Sequence, residues 1–432
     1  MNQIHVVFLW GMKKLFYNIS KLYGANVRGT YKKGIEMQDI AIIENAWMLV
    51  ENGIIEDLGN LRDIEQLASL KLQCQEMIDL QGMEVLPGFV DSHTHIVFAA
   101  PRHEEFAMRI EGATYEEIAE NGGGILNSAR KLQVMLEEEL FEQASKRVEL
   151  MLKHGTTTIE IKSGYGLTVD AELKILRVIK KLKEKFPCTI KATFLGAHAF
   201  PAEFKNNQSA YVDMILNEML PVVVAENLAD HVDVFCDKGF FTVEQTDEIL
   251  RLSAECGLPA KIHANELGLT GGVQSAVKNK AWSADHLEHC EENEIAALKQ
   301  GFTEEYGGTM PVALPGTSYF LGIPYAPVKQ FMQHGLPVAL ATDFNPGSSP
   351  ICSLQTIWAF ACTQMKMQPV EAFHAITCNA ARSMRLENEV GSLAKGMRAD
   401  FIATKTKDAI KAIPYFLGQN HAEIVVVGGT IV

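Results

Sequence analysis

The sequence of 432 residues contains no CxxC pair; its eight cysteines, Cys74, Cys188, Cys236, Cys256, Cys290, Cys352, Cys362 and Cys378, lie far apart. This spacing argues against a disulfide framework and against a cysteine zinc site, and it fits a reducing cytoplasm. Nor is there an excess of basic charge. Lys and Arg number 39 against 53 Asp and Glu, a net charge of -14, and the basic residues form no cluster. Nucleic acid and anionic membrane surfaces are therefore poor partners. No apolar stretch is long enough to span a bilayer. The N-terminal run around Val6–Trp10 is followed, not preceded, by its lysines, and no small-residue cleavage site comes after it. It reads as neither signal nor anchor, but as an extension ahead of the first strand. Internal repeats and low-complexity segments are absent as well.

What is present divides the chain in three. Residues 17–85 read as short β segments with a turn at Glu51-Asn52-Gly53, and the C-terminal "GSLAKGMRADFIATK" and "HAEIVVVGGTIV" read likewise. The two ends, 1–85 and 385–432, predict one small β-sandwich domain. Between them, in 86–384, short apolar runs alternate with amphipathic stretches such as "EEELFEQASKRVELMLKHG" and "DAELKILRVIKKLKEKF". The runs are Glu84–Val90, Thr157–Ile161, Ile190–Leu195, Val232–Phe235, Ala260–Ile262, Trp282–Ala284, Met310–Leu314 and Pro337–Ala341. Gly155 and Pro187 stop the two quoted helices. Eight β-then-α units over about 300 residues match a TIM-like (β/α)8 barrel, an α/β fold. An open doubly wound sheet is the alternative, but no glycine-rich dinucleotide loop follows the first run.

In such barrels the reacting residues sit at the C-terminal ends of the strands. The first run ends in Asp91-Ser92-His93-Thr94-His95. His93 and His95 are two apart, so on a strand they share a face. Two imidazoles aimed at one point suit a metal ion. Later runs lead into Lys162-Ser163-Gly164-Tyr165-Gly166, into Gly196-Ala197-His198, into "KIHANE" with His263 and Glu266, into "ADHLEH" with His286, and into "LATDFNPGSS" with Asp343. His93, His95, His263 and Asp343 make a donor set of three nitrogens and one oxygen that suits Zn²⁺ and also accepts iron. Water on such an ion is acidified towards neutrality, which makes hydroxide available. Asp343 can take the proton of that water, His286 can orient it or stabilise charge on the attacked oxygen, and Glu266 can pass a proton to a leaving nitrogen. These are parts for hydrolysis of an amide-like C–N bond. Arg102 offers a fork for a substrate carboxylate. Tyr165 and His198 offer ring hydrogen bonds, and the loop Asn345–Ser348 offers backbone groups. Trp282, Trp358, Met365 and Met367 read as core.

The stretches "PGFVDSHTH", "KIHANE", "ADHLEH" and "ATDFNPGSSP" resemble the amidohydrolase superfamily. The stretches "EFAMRIEGATYEEIAENGGGI", "GTTTIEIKSGYGL", "FLGAHAFP" and "LPGTSYFLG" resemble, more narrowly, its imidazolonepropionase family, from about residue 17 onward. The resemblance implies hydrolysis of 4-imidazolone-5-propanoate to N-formimino-L-glutamate in histidine degradation. It implies one Zn²⁺ or Fe³⁺ per subunit on His93, His95, His263 and Asp343, and a homodimer. It also places Arg102, Tyr165, His198, Glu266, Asn345, Gly347 and Ser348 against the substrate, with acid and base duties divided among Glu266, His286 and Asp343. Asn265 stands where the family more often has Asp. Lys238 lies past the end of the fourth strand, so a single metal is implied rather than a bridged pair. A purine or pyrimidine deaminase of the same superfamily would share the metal set. A non-catalytic protein on the same barrel would typically lose these ligands, and all four are here.

Overall fold

The computed structural model of the chain describes residues 12–113, 117, 123–303 and 306–432. The Val6–Trp10 run and Gly122 of the glycine run lie outside the described residues. Among the described residues five strands come first: β1 (Lys13–Tyr23), β2 (Ile42–Glu51), β3 (Ile54–Asn60), β4 (Glu76–Asp79) and β5 (Glu84–Pro87). Eight follow: β6 (Phe89–Asp91), β7 (Thr156–Lys162), β8 (Thr189–Ala197), β9 (His231–Cys236), β10 (Ile262–Ala264), β11 (Ser283–His286), β12 (Met310–Ala313) and β13 (Ala339–Leu340). The last three are β14 (Phe401–Thr404), β15 (Ile424–Val427) and β16 (Thr430–Ile431).

β6 to β13 lie side by side in chain order, parallel throughout. The ring closes just beyond β6 and β13. There Asp343 N–H donates to His93 O (3.0 Å), and His95 N–H donates to Phe344 O (2.9 Å). Closure thus brings together the two segments richest in reactive side chains. The expected helices form at Glu137–Lys153 and Val169–Lys185, the second capped by Thr168, whose hydroxyl accepts from Ala171 N–H. Gly155, at φ +90°, turns the chain from the first helix into β7.

The remaining strands form one mixed sheet in the order β16-β15-β14-β5-β1-β2-β3, with β4 also paired to β1. Strands from the two termini meet where β5 pairs antiparallel with β14. Alternation along the strands supplies both faces: Phe16, Met48 and Phe401 fill one apolar core, and Leu15, Leu49 and Trp47 fill another. Asn52 and Gly53, both at positive φ, turn β2 into β3 as a two-residue hairpin.

Three expectations need correction. The run Glu84–Val90 is two strands in different sheets, β5 and β6, divided at Gly88. A Cβ on Gly88 would stand 2.2 Å from Thr157 Oγ1, so the chain crosses between sheets through a gap that only glycine fits. Both strands are buried, so the sequence shows one apolar run. Pairing of β1 with β2 starts at Lys13 with Glu51, not at residue 17. Of "GSLAKGMRADFIATK" only Phe401–Thr404 is strand, and an unexpected helix follows at Ala409–Tyr415. Among the described residues no helix is long and apolar enough to cross a membrane.

Candidate active site

The C-terminal ends of the barrel strands deliver His93 and His95 from just after β6, His263 from β10, His286 from the end of β11 and Asp343 from beyond β13. All five are buried. Donor atoms of His93, His95 and Asp343 lie within 4.8 Å of one another, and so do those of His93, His263 and His286. His93 Nε2 and His95 Nε2 are 3.3 Å apart, and Asp343 Oδ1 stands 3.5 Å and 3.6 Å from them. The backbone is strained at these strand ends: Asn265, His286, Leu287 and Asp343 all take positive φ.

The chemistry of the donors shows what they await. Asp285 Oδ2 lies 2.7 Å from His93 Nδ1 and can only accept, so His93 turns a bare Nε2 lone pair to the centre. His263 Nδ1 stands 2.9 Å from Asp233 Oδ2, and its buried Nε2 has no hydrogen-bond partner. Burial, then the Lys162 ammonium, holds the His93 pKa well below the ordinary range, and burial does the same for His95. Neutral imidazole lone pairs and a carboxylate packed this closely repel one another unless a cation sits among them. The set fits a metal ion.

Beside this cluster Glu266 Oε2 is 3.6 Å from His286 Nε2, and Glu288 Oε1 is 3.4 Å from His286 Nδ1. Burial pushes the Glu266 carboxyl up to about 7. Burial alone would lower His286, but the Glu266 and Glu288 carboxylates outweigh it and hold it well above its usual value.

The residues expected to hold substrate gather at the same mouth. The His198 ring stacks on His95 at 5.3 Å, and Tyr165 lies edge-on to both. Arg102 lies against Gly347, where a Cβ would come within 2.1 Å of Arg102 Nη1. Its Nε and Nη2 both bond Glu105 Oε2 at 2.7 Å, so only part of the expected fork faces outward. The loop expected to offer backbone groups is largely self-satisfied. Asn345 Oδ1 accepts from Gly347 N–H and Ser348 N–H, and Asn345 N–H donates to Ser349 O. Its reach towards the cluster is the Ser348 hydroxyl, 3.3 Å from Asp343 Oδ2, which Thr317 Oγ1 also bonds at 2.6 Å.

The amidohydrolase family model matches residues 85–432. The imidazolonepropionase of Flavobacterium johnsoniae is 47% identical over 422 residues, covering 98% of this chain and all of that one. The imidazolonepropionase of Thermoanaerobacter pseudethanolicus is 41% identical over 412 residues, covering 95% of this chain and 96% of that one. The chain is an amidohydrolase of the imidazolonepropionase family. Solved structures extend the likeness of fold: the guanine deaminase of E. coli (TM-score 0.74, 16% identity, 98% of this chain and 99% of that chain) and that of C. acetobutylicum (0.71, 15%, 97% and 100%). At such identity they show the shared architecture alone. The chain has the buried His/Asp site that metal-dependent hydrolysis requires.

Beneath the histidines lies a layer that sequence reasoning missed. Lys162 Nζ bonds Glu160 Oε1 and Asp233 Oδ2 at 2.7 Å each and stands 3.6 Å from Asp285 Oδ2. Lys261 bonds Glu160 and, at 2.9 Å, Ser92 O. The clue was available: charged residues stand within the strands at Glu160, Lys162, Asp233 and Asp285, and just before one at Lys261. In a closed barrel such positions can face the interior.

Proposed function

We propose that the protein hydrolyses 4-imidazolone-5-propanoate to N-formimino-L-glutamate in histidine degradation, with one Zn²⁺ or Fe³⁺ per subunit held by His93, His95, His263 and Asp343. The observation that carries this reading is a pair of buried donor groups sharing His93, one with His95 and Asp343 and one with His263 and His286, beside Glu266 and in a chain closely related to named imidazolonepropionases. A cation in this site supplies a Lewis acid and lowers the pKa of water towards neutrality. The protein's own groups do the rest. Asp343, fixed through Oδ2 by Thr317 and Ser348, accepts the proton of the attacking water. His286, kept cationic by its two carboxylates, donates to the ring carbonyl oxygen as negative charge develops there. Glu266 relays to the ring nitrogen, as the C–N bond breaks, the proton that Asp343 received.

Arg102 receives the propanoate carboxylate through the part of its guanidinium that Glu105 leaves open. Tyr165 and His198 face the imidazolone ring, with Glu266, Asn345, Gly347 and Ser348 lining the opposite side. The same reading includes a homodimer, a cytoplasmic location, and a division of the chain into 1–85 and 385–432 (sandwich) and 86–384 (barrel).

The test is direct. Purified, metal-loaded protein consumes the ultraviolet absorbance of 4-imidazolone-5-propanoate and releases formiminoglutamate, and it releases no ammonia from guanine or cytosine. Ammonia release from a nucleobase without turnover of the imidazolone would overturn the proposal.

A further inference from the structure

Glu172 belongs to the helix Val169–Lys185, yet its side chain is wholly buried and points away from solvent into the loop after β7. Its Oε2 accepts from Gly164 N–H (2.9 Å), and its Oε1 accepts from Gly166 N–H (2.6 Å) and Leu167 N–H (3.0 Å). Successive amides wrapped around an anion form a nest, here filled by the protein's own carboxylate. The loop is shaped to fit it. Gly164 takes φ +110° and Leu167 takes φ +57°. A Cβ on Gly166 would meet Glu172 N at 2.4 Å, so only glycine lets the loop close down on the helix.

Two side chains assigned to the substrate depend on this loop. Tyr165 is its middle residue, and Gly164 O bonds His198 Nδ1 at 2.9 Å. A Cβ on Gly164 would stand 2.7 Å from that same nitrogen, so the loop backbone sets the plane of the His198 ring. On the other flank Ser163 Oγ accepts from Leu195 N–H of β8 at 2.9 Å, pinning the loop to the next strand.

We infer that the Glu172 carboxylate is a positioning residue for substrate binding: it holds the loop 163–167 so that Tyr165 and His198 form a rigid wall of the substrate pocket. Glu172 makes none of the contacts that build the metal cluster, so its effect falls on binding rather than on the chemical step. The inference rests on the substrate reading given under Proposed function.

The experiment compares holoenzyme and Glu172→Gln, which keeps the volume but replaces one acceptor oxygen by a donor facing an N–H. The wild type is assayed first with 4-imidazolone-5-propanoate; absence of turnover there defeats the substrate reading, independently of Glu172. With turnover present, Glu172→Gln raises KM about tenfold, the size of one charge-assisted hydrogen bond. Its kcat stays within about twofold and its metal content is unchanged. Amide hydrogen exchange at Gly164, Gly166 and Leu167 accelerates in the variant. An unchanged KM overturns the inference whether or not those amides loosen, and so does loss of metal with a fall in kcat alone. Should Glu172→Gln fail to fold, Glu172→Asp, which keeps the charge but withdraws it by one methylene, is measured in the same way. In the wild type itself, exchange of the three amides as fast as that of exposed loops would also overturn the inference.

Discussion

Two buried polar layers lie in the same barrel, and they differ in how far their groups are paired. The lower one, Glu160, Lys162, Asp233, Lys261 and Asp285, pairs its charges internally and leaves Asp285 Oδ1 as its unpartnered buried atom. Each ammonium meets carboxylates, and Thr193 Oγ1 donates to Glu160 at 2.5 Å. The pKa values reflect this closure. Burial opposes charge on Glu160 and Lys162, but each wins enough from its partners to keep it: Glu160 is brought down to about 2, and Lys162 is raised by Asp233 and Glu160. The upper layer uses equally buried groups and leaves them short of a partner. His263 Nε2 is unpaired, and the His93 lone pair faces His95 and Asp343. Burying polar groups is costly unless they are paired. One layer is therefore scaffold; the other is a site able to hold a cation. The layers are joined, because Asp285 and Asp233 belong to the lower and orient the histidines of the upper.

Four changes test this contrast, the largest first. His263→Ala removes a donor from the open layer and lowers kcat/KM by about 10⁴-fold, roughly 5.5 kcal/mol of barrier. The fold survives this change, as steady-state kinetics beside circular dichroism will show. Lys162→Met breaks the paired layer instead, leaving Asp233 without its ammonium and Glu160 with Lys261 alone. It costs about 3–5 kcal/mol of stability by denaturant unfolding. Equal losses of stability from both variants would erase the distinction between the layers. Asp285→Asn cuts the link between them: metal affinity, read by chelator competition, falls roughly 10–100-fold. The smallest effect concerns His231, buried on β9 with its Nδ1 3.4 Å from Thr193 Oγ1, which burial holds at about 3. Because the unfolded chain binds a proton to this ring near 6.5 and the folded protein does not, stability present above pH 6.5 is lost as the pH falls towards 3. Between pH 7 and 5.5 the share of His231 is about 1 kcal/mol. Urea titrations of His231→Gln will show a correspondingly flatter pH dependence; an unchanged slope would contradict the assignment.

The upper layer was legible in the sequence because each of its members follows an apolar run. "DSHTH", "KIHANE", "ADHLEH" and "LATDF" each announce a strand end by a switch from apolar to reactive residues. All eight barrel strands could be placed for the same reason. The lower layer was hidden by that same habit of reading. Lys162 was visible only as the start of the SGYG loop, and Lys261 and Asp285 sit inside motifs whose histidines drew the attention. Apart from Glu160, two residues before Lys162 on β7, their partners lie on other strands, so spacing along the chain reveals none of those further pairings. Gly88 shows a third kind of limit: two strands buried in different sheets share one apolar run, and only packing against Thr157 separates them. The hold of Glu105 on Arg102 and the self-satisfied Asn345 loop are likewise side-chain geometry, which residue types alone do not specify.

The central claim is that the upper layer is completed by a single cation. Elemental analysis of the purified chain after exhaustive dialysis measures this most directly, with His263→Ala as its control. The account predicts about one equivalent of zinc or iron in the wild type and near none in the folded variant. A wild type that retains no metal and takes up neither ion when it is supplied, or a variant that holds as much as the wild type, would contradict it.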